Sequence, residues 1–237
     1  MLNKGKRVVI TGAGRGIGRA IAQAFATSGA SLFVTGRHAG RLQELTESLQ
    51  EQFPDQSFVY HIADVSVKEE GIQLGAAILQ WGTPDVLVNN AGNFLPGAVH
   101  DEPDGRLEEM IAVNLYSAYY LTRQLIPAMK ARKQGHVFNI CSIASLQPYP
   151  NGGSYGISKY ALAGFSANLR EELKPSGIKV TAVFPGAVYT DSWAGFDNSE
   201  QRIMEASDIA AMLVAAASLS ATAVVEDIII RPQLGDL

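Results

Sequence analysis

Residues 8–18 read VVITGAGRGIG, a run of β-branched residues that leads into a glycine-rich turn. The apolar run is typical of a strand buried on both faces of a parallel sheet. Glycine lets the backbone turn tightly and approach a ligand closely. The helix predicted after the turn offers free N–H groups and the positive end of its dipole to a pyrophosphate. The stretch therefore predicts the strand, turn and helix that open a dinucleotide-binding fold.

The glycines of this turn have a particular spacing. The common dinucleotide-binding fingerprint is G-x-G-x-x-G, whereas Gly12, Gly16 and Gly18 follow G-x-x-x-G-x-G. Arg15 and Ile17 lie between them and complete the candidate site. A glycine-rich turn without a ligand is the alternative, but the position between a first strand and a helix favours a cofactor.

Short β-branched runs alternate with longer helical segments along the rest of the chain. Strands are predicted at residues 7–10, 31–35, 57–61, 86–89, 136–141, 179–184 and 225–230. Helices are predicted at residues 16–28, 39–52, 67–81, 104–132, 153–174 and 207–219. This alternation indicates right-handed βαβ units and an α/β fold, a Rossmann-type, doubly wound parallel sheet with helices on both faces. No linker divides the chain, which predicts a single dinucleotide-binding and catalytic domain over residues 1–237.

The composition limits the class of protein. The chain has 237 residues, of which 47% are hydrophobic and 18% charged, as expected of a globular domain. A net charge of −4 argues against nucleic acid as a partner, because phosphate binding needs a basic surface. No segment has the pattern of a signal peptide or of an apolar span of about 20 residues. A cytoplasmic protein without membrane contact is therefore expected.

Cysteine and histidine usage predicts no metal site. The single cysteine, Cys141, excludes an internal disulfide and a cysteine-based metal cluster. Alternation along the predicted fifth strand turns its side chain away from that of the next residue, so it is interpreted as a small buried hydrophobe. The four histidines, at His38, His61, His100 and His136, lack metal-ligand spacing and are interpreted as surface or loop residues.

The end of the second strand bears on the choice of dinucleotide. Folds that hold NAD often place an acid here, where it binds the ribose 2′-hydroxyl. This chain has Gly36 followed by Arg37. Guanidinium donates two parallel hydrogen bonds to phosphate, so Arg37, with Arg15 as a second cation, favours NADP(H) over NAD(H). The alternative is that Arg37 is a solvated loop residue.

The ends of the third and fourth strands add weaker candidates. Asp64, followed by Val65, could accept a hydrogen bond from an adenine amino group, or it could cap the helix predicted near residue 66. The local sequence leaves both interpretations open. After the fourth strand, Asn90, Ala91 and Gly92 suit a loop that closes over a flat ligand.

The strongest chemical signal follows the fifth strand, where Ser142 precedes Tyr155 and Lys159. An i,i+4 spacing on a helix puts Tyr155 and Lys159 on one face. A nearby ammonium is expected to lower the tyrosine pKa from about 10. Tyr155 could then give a proton to a carbonyl oxygen as hydride arrives, while Ser142 holds that oxygen. Taken alone, Tyr-x-x-x-Lys on a helix is also compatible with a simple surface pair.

Five segments now occur in order: residues 11–18, residues 89–92, Ser142, residues 155–159 (YGISK) and residues 185–186 (PG). With this set, the chain resembles the compact, single-domain branch of the short-chain dehydrogenase/reductase family over essentially its whole length. The resemblance implies a seven-stranded sheet in the order 3-2-1-4-5-6-7. It also implies reduction of a ketone or aldehyde, a small-molecule substrate, by NADPH.

The resemblance assigns roles to individual residues. Tyr155 would be the general acid/base, Ser142 would orient the substrate oxygen, and Lys159 would bind the nicotinamide ribose and tune Tyr155. Asn114 would hold a water that relays protons to Lys159.

The resemblance also assigns a segment beside the nicotinamide. Pro185, Gly186, Val188 and Thr190 would flank the ring, with Thr190 bonding its carboxamide. Members of this branch are commonly dimers or tetramers. A homodimer or homotetramer is implied, with the predicted helices at residues 104–132 and 153–174 as contact surfaces.

The substrate remains open between two classes of ketone. The motif set resembles 3-oxoacyl-carrier-protein reductases. Those enzymes, however, usually end in a Gly-Gly signature, whereas this chain reads IIIRP at residues 228–232. The stretch 190–208 is also short for a substrate loop. Residues 185–190, Trp193 and the Arg231-Pro232 ending are similar instead to bacterial sepiapterin-reductase-like proteins. A 3-oxoacyl or short-chain ketone is preferred narrowly. Trp193 is expected in the substrate site, as a hydrophobic plug or a stacking platform.

A non-catalytic regulator that senses NADP(H) on the same fold is the alternative from another functional class. A sensor has no need of a catalytic acid. The complete set Asn114, Ser142, Tyr155 and Lys159 therefore favours the enzyme.

Overall fold

Seven parallel strands form one sheet in the computed structural model, which describes residues 3–190, 193, 195–199 and 201–236. The strands are β1 (Arg7–Thr11), β2 (Ser31–Gly36), β3 (Phe58–Ile62), β4 (Val86–Asn89), β5 (Gly135–Ile140), β6 (Ile178–Pro185) and β7 (Asp227–Ile230). Their order in the sheet is β3-β2-β1-β4-β5-β6-β7. The predicted fold class and the implied strand order are both confirmed.

Helices cover the two faces of the sheet. They are α1 (Gly16–Thr27), α2 (Ala39–Gln52), α3 (Lys68–Trp81), α4 (Arg106–Ile111), α5 (Ser117–Arg132), α6 (Gly153–Leu173) and α7 (Ala206–Ala217). A π-helical segment, Ala112–Tyr116, joins α4 to α5. The helix predicted over residues 104–132 therefore begins two residues later and contains a π turn, a departure from α geometry that hydrophobic periodicity does not register.

The core is divided into two layers by the sheet. Val8 and Ile10 of β1 pack with Phe25 in the layer that contains α1, α2 and α7. Val9, between them, points to the opposite face and packs with Leu125 in the layer of α3, α5 and α6. Successive side chains of a strand point to opposite faces, so an unbroken apolar run is what a doubly covered strand requires.

One histidine that the sequence predicts to be a surface or loop residue is buried in the structure. His136 lies in the central strand β5 and is buried, with its ring stacked on Phe138 at a centroid distance of 3.9 Å. Its Nε2 atom is 2.7 Å from Thr181 Oγ1, which itself donates to Val225 O. Burial, with the nearby charges of Lys179 and Lys6, lowers the pKa of His136 to about 3. The interpretation as a surface or loop residue is therefore wrong for His136, because a neutral imidazole with a hydrogen-bond partner can occupy a core.

Membrane spans and clustered metal ligands are both lacking in the described part of the chain. Within it, no helix is long and apolar enough to cross a membrane. In the same residues, no group of three or more His, Cys, Asp and Glu side chains converges as metal ligands would.

Candidate active site

A cavity of about 510 Å³ opens at the carboxyl ends of the strands, where open α/β sheets bind their ligands. Its lining includes every predicted site residue except Asn114. The predicted residues that line it are Gly12, Arg15, Gly16, Ile17, Gly18, Arg37, Asp64, Val65, Asn90, Ala91, Gly92, Ser142, Tyr155, Lys159, Pro185, Gly186, Val188, Thr190 and Trp193. Loops after six strands thus converge on one site.

The glycine turn after β1 leaves no room for side chains at Gly12 and Gly18. Gly12 has a φ of +66°, which favours glycine, and a Cβ on Gly18 would clash with the carbonyl oxygen of Gly12. Asn90 Nδ2 donates to Thr11 O at 2.9 Å and to Gly12 O at 3.1 Å. Asn90, predicted as a cofactor contact, therefore uses its amide to hold the turn in place.

The first turn of α1 is open to an anion. The side chain of its N-cap residue, Arg15, makes no capping hydrogen bond, and the turn holds no acidic residue. The N–H groups at a helix N-terminus and the positive end of the dipole suit a phosphate. Together with the bare glycine turn, this geometry fits the pyrophosphate of a dinucleotide.

Arginine side chains gather beside this turn. Arg15 and Arg37 both line the cavity, as does Arg41, which was not predicted from the sequence. Arg41 lies in the first turn of α2, four residues after Arg37, and its closeness to Arg37 in the sequence was the signal available. Three guanidinium groups at the end of the first two strands suit a dinucleotide with an additional phosphate.

Asp64 does not cap α3, so that interpretation is wrong. The helix begins at Lys68, and the Asp64 carboxylate instead accepts from Ser66 N at 3.0 Å and from Ser66 Oγ at 2.6 Å. Arg37 Nη1 lies 3.7 Å from Asp64 Oδ2. Burial raises the pKa of Asp64, but the bonds from Ser66 and the charge of Arg37 outweigh it and hold that pKa below its usual value. The carboxylate is thus ionised at the edge of the cavity.

The predicted catalytic side chains are brought together at the start of α6. Tyr155 lies in the first turn of this helix, and Lys159 Nζ is 5.9 Å from the centroid of its ring. Ser142 faces the Tyr155 hydroxyl closely enough to lower its pKa. Because Ser142 Oγ already accepts from Ala144 N at 3.2 Å, its own proton is free to be donated toward the phenol oxygen or a substrate oxygen.

The expected effect of Lys159 on Tyr155 is not what the structure gives. Burial raises the pKa of Tyr155 to about 12, and Ser142 offsets this only in part. Burial also lowers the pKa of Lys159 to about 8, and its Nζ donates to Ile140 O at 2.8 Å. The prediction of a lowered tyrosine pKa is therefore wrong for this structure, because desolvation dominates. Tyr155 is a protonated donor at neutral pH.

Asn114 lies behind the cavity wall, in the π-helical segment. Its Nδ2 donates to Ser158 Oγ at 2.9 Å and to Asn93 O at 3.1 Å, while its Oδ1 accepts from Asn93 N at 2.8 Å. A Cβ on Gly92 would lie 2.9 Å from Asn114 Oδ1 and 3.5 Å from Lys159 Nζ, so both side chains approach the same glycine. π-Helical turns are often found at functional sites.

Aromatic side chains, two of them not predicted from the sequence, form one wall of the cavity. Phe94 and Tyr149 line it together with the predicted Trp193; these three residues are called the aromatic wall below. The ring of Phe94 meets that of Tyr155 edge to face at 4.8 Å, and Trp193 meets Phe196 at 5.3 Å. The three come from loops far apart in sequence, and no local pattern joins them.

Glu102 holds the start of α6 and was also not predicted. Its Oε1 and Oε2 accept from Ser154 N at 3.0 and 3.1 Å, and Oε2 accepts a short bond from Ser154 Oγ. Gly153 has a φ of +32°, and a Cβ there would clash with Gly97 O. The carboxylate satisfies the Ser154 N–H, one of the groups that a helix start leaves unpaired, one residue before Tyr155.

Fold and site together define a dinucleotide-binding oxidoreductase of the α/β class. Residues 6–201 match the family model described as short chain dehydrogenase, which spans more than half of the chain. The chain belongs to the short-chain dehydrogenase family.

Relatives with named activities are similar over nearly the whole length. The chain is 33% identical to the sepiapterin reductase of Chlorobaculum tepidum, with 97% of each chain covered. The solved structure of L-sorbose reductase from Gluconobacter frateurii with NADPH and L-sorbose has a TM-score of 0.89 and 28% identity, covering 96% of this chain and 95% of that one. A 3-oxoacyl-[acyl-carrier protein] reductase from Brucella melitensis has a TM-score of 0.86 and 30% identity, covering 96% and 90%.

Proposed function

We propose that the protein is a carbonyl reductase that uses NADPH to reduce a ketone or aldehyde. The observation that carries this proposal is the group Ser142, Tyr155 and Lys159 at one cavity. A phenol that is protonated at neutral pH suits the donation of a proton to a carbonyl oxygen as the carbon is reduced. When bound, NADPH supplies the hydride.

The chain's own residues would hold the cofactor along the glycine turn. The uncapped first turn of α1 would bind the pyrophosphate, and Arg15, Arg37 and Arg41 would bind the 2′-phosphate. Gly36 leaves the end of β2 without the acid that prefers a free 2′-hydroxyl. Solved relatives with NADPH or NADP support the same cofactor here.

The proposed proton path starts at Tyr155. Its hydroxyl would protonate the substrate oxygen, which Ser142 would hold by a second hydrogen bond. Lys159 would bind the nicotinamide ribose and supply positive charge close to the phenolate that forms. Asn114, which approaches the same glycine as Lys159, would support the water that returns a proton to it.

A 3-oxoacyl or other short-chain ketone is the first substrate class. Support comes from the motif set and from the similar solved 3-oxoacyl reductase. A flat pterin ketone is the second class, and the aromatic wall favours it, because conjugated rings stack on aromatic side chains. The similar sepiapterin reductase points the same way.

The protein is proposed to act in the cytoplasm as a homodimer or homotetramer. Large apolar side chains are exposed on the π segment, α5 and α6, among them Tyr116, Tyr119, Ile157 and Tyr160. Clustered exposed apolar residues are typical of contact surfaces between protomers.

The test is NADPH oxidation with a panel that contains acetoacetyl thioesters, small activated ketones and sepiapterin. Turnover with any of them that depends on Tyr155 supports the proposal, and the preferred ketone selects the class. Tight NADPH binding without turnover of the whole panel would instead favour a regulator that senses the cofactor.

A further inference from the structure

The last described residues, 231–236, form a tail that folds back over the loop after β6. Gly186 N donates to Ile230 O at 2.8 Å at the start of this C-terminal tail, and Pro232 is buried. Near its end, Arg202 Nη1 donates to Gly235 O at 2.9 Å and Nη2 to Asp236 O at 3.3 Å. The tail is thus held at one end by the cavity loop after β6 and at the other end by Arg202.

This anchoring places the side chain of Asp236 at the cavity. One carboxylate oxygen, Oδ2, lies 3.3 Å from Arg231 Nη1. The other, Oδ1, is buried, and no described residue donates a hydrogen bond to it. A buried carboxylate oxygen without a donor is costly. Asp236 lines the cavity, so that cost would be relieved if its carboxylate turned to meet a donor on a bound ligand.

The absence of a side chain on Gly186 makes room for this carboxylate. A Cβ at that position would lie 2.7 Å from Asp236 Oδ1. The Asp236 carboxylate therefore packs against the loop after β6 at a point where the side chain of any other residue at position 186 would clash with it.

The Asp236 carboxylate lies in a different part of the cavity from the arginines that suit the cofactor phosphates. The arginines that suit phosphate, Arg15, Arg37 and Arg41, come from the ends of β1 and β2, whereas Asp236 contacts the loop after β6. A carboxylate repels phosphate and accepts hydrogen bonds from hydroxyl and N–H groups. We propose that Asp236 is a substrate-binding residue that selects carbonyl compounds carrying a hydroxyl or N–H donor, an inference that rests on the proposed carbonyl reductase function.

The experiment compares matched ketones that differ by one donor. The pairs are hydroxyacetone with methoxyacetone and meta-hydroxyacetophenone with meta-methoxyacetophenone. Each is assayed with wild type, Asp236→Ala, Asp236→Asn and the control Gln233→Ala, an exposed position on the same tail. The dissociation constant of NADPH is measured for each protein, so that an effect on the cofactor is seen separately.

Wild type is expected to prefer the hydroxy member of at least one pair by about tenfold or more in kcat/KM, as for a hydrogen bond to a charged group. Asp236→Ala should bring that ratio close to one, and Asp236→Asn, which keeps an acceptor oxygen without the charge, should give an intermediate ratio. Gln233→Ala should keep the wild-type ratio.

Three outcomes overturn the inference. One is an unchanged ratio in a folded Asp236→Ala protein, or in Asp236→Asn if the alanine variant does not fold. Another is weaker NADPH binding in the variants with the ratio retained, which would assign Asp236 to the cofactor. The third is a wild type that reduces none of the ketones in this test or in the earlier panel, in which case the proposed function fails first and the substrate role with it.

Discussion

The two sides of the cavity are built in different ways. On the cofactor side, the loops after β1 and β4 are joined by backbone and amide contacts, such as Asn90 to Thr11 and Gly12. On the substrate side, the aromatic wall and Asp236 come from loops and a tail that the fold alone brings together. The residues on the cofactor side belong to short motifs at the strand ends, whereas those on the substrate side are single side chains of loops that no motif joins. The cofactor side can therefore be predicted from sequence motifs. The substrate side is formed by loops, and changes in these loops can alter the substrate specificity.

Tyr155→Phe should have the largest effect, because Tyr155 is the residue on which both sides converge. Phenylalanine keeps the ring and removes only the proton donor, and general acid catalysis contributes about 10²–10⁴-fold. The expected result is a fall of that size in kcat with the NADPH dissociation constant nearly unchanged. Turnover at the wild-type rate would remove Tyr155 from the mechanism.

Lys159→Met should show that the buried ammonium of Lys159 lowers the free energy of unfolding of the cofactor-free protein. The pKa of Lys159 is lowered from 10.5 to about 8, so between these values the unfolded state binds a proton that the folded state lacks. Stability from this group therefore rises with pH across that window, and the full cost is present below pH 8. The lowered pKa corresponds to a destabilisation of about 3 kcal/mol. The variant also loses the hydrogen bond from Lys159 to Ile140 O, so its net gain in stability should be smaller than this.

Denaturant unfolding of wild type and Lys159→Met at pH 7 and at a pH above 9 measures this cost. The variant should be the more stable at pH 7, and its advantage should shrink as the pH rises. An advantage that grows with pH would mean that the ammonium is stabilised in the folded protein.

Glu102→Ala tests whether the contact at the start of α6 positions Tyr155. Removing the acceptor leaves the N–H and hydroxyl of Ser154 without this partner, and a hydrogen bond to a charged group is worth about 1.5–3 kcal/mol. The expected fall in kcat is about ten- to a hundredfold, with NADPH binding retained.

Two further variants separate positioning from a general loss of structure. Glu102→Gln keeps an acceptor oxygen and should recover part of kcat. Glu108→Ala, at an exposed glutamate of α4, should leave kcat at its wild-type value. A wild-type kcat in Glu102→Ala would show that Ser154 does not need this partner.

Exchange of Gly36→Asp together with Arg37→Ala should move the cofactor preference toward NADH. The acid would repel the 2′-phosphate and accept from a free 2′-hydroxyl, and the lost charge-assisted contact costs about tenfold or more in affinity. The ratio of kcat/KM for NADPH and NADH reports the change. Arg15 and Arg41 remain in the variant, so some preference for NADPH is expected to survive. An unchanged ratio would leave Arg37 as a loop residue.

Trp193→Ala should have the smallest effect, and it depends on the substrate class. Aromatic stacking contributes about 0.5–1.5 kcal/mol beyond buried area, so kcat/KM for sepiapterin should fall by about tenfold once that area is included. An acetoacetyl thioester should lose far less. If wild type does not reduce sepiapterin, the pterin class of substrate is excluded. If the variant reduces sepiapterin as well as wild type does, Trp193 only fills space in the site and is not a stacking platform.

Much of the cofactor side could be predicted from the sequence because its residues act through local geometry. Gly12 and Gly18 are fixed by a turn within a few residues, and Tyr155 and Lys159 by one helix. The pKa of Tyr155 could not be predicted in the same way, since it depends on contacts with Phe94 and with loops that only the folded chain assembles. Glu102 was missed for a similar reason, because its partner Ser154 lies in a different element.

The single cysteine gives the protein a simple thiol chemistry. Cys141 is buried, and burial raises the pKa of its thiol to about 11. Alkylating agents and peroxide react with the thiolate, which is scarce at neutral pH for such a group. The wild-type chain should therefore keep its activity without added reductant. Any cysteine introduced on the surface would be the preferred point of attachment for a fluorophore or spin label.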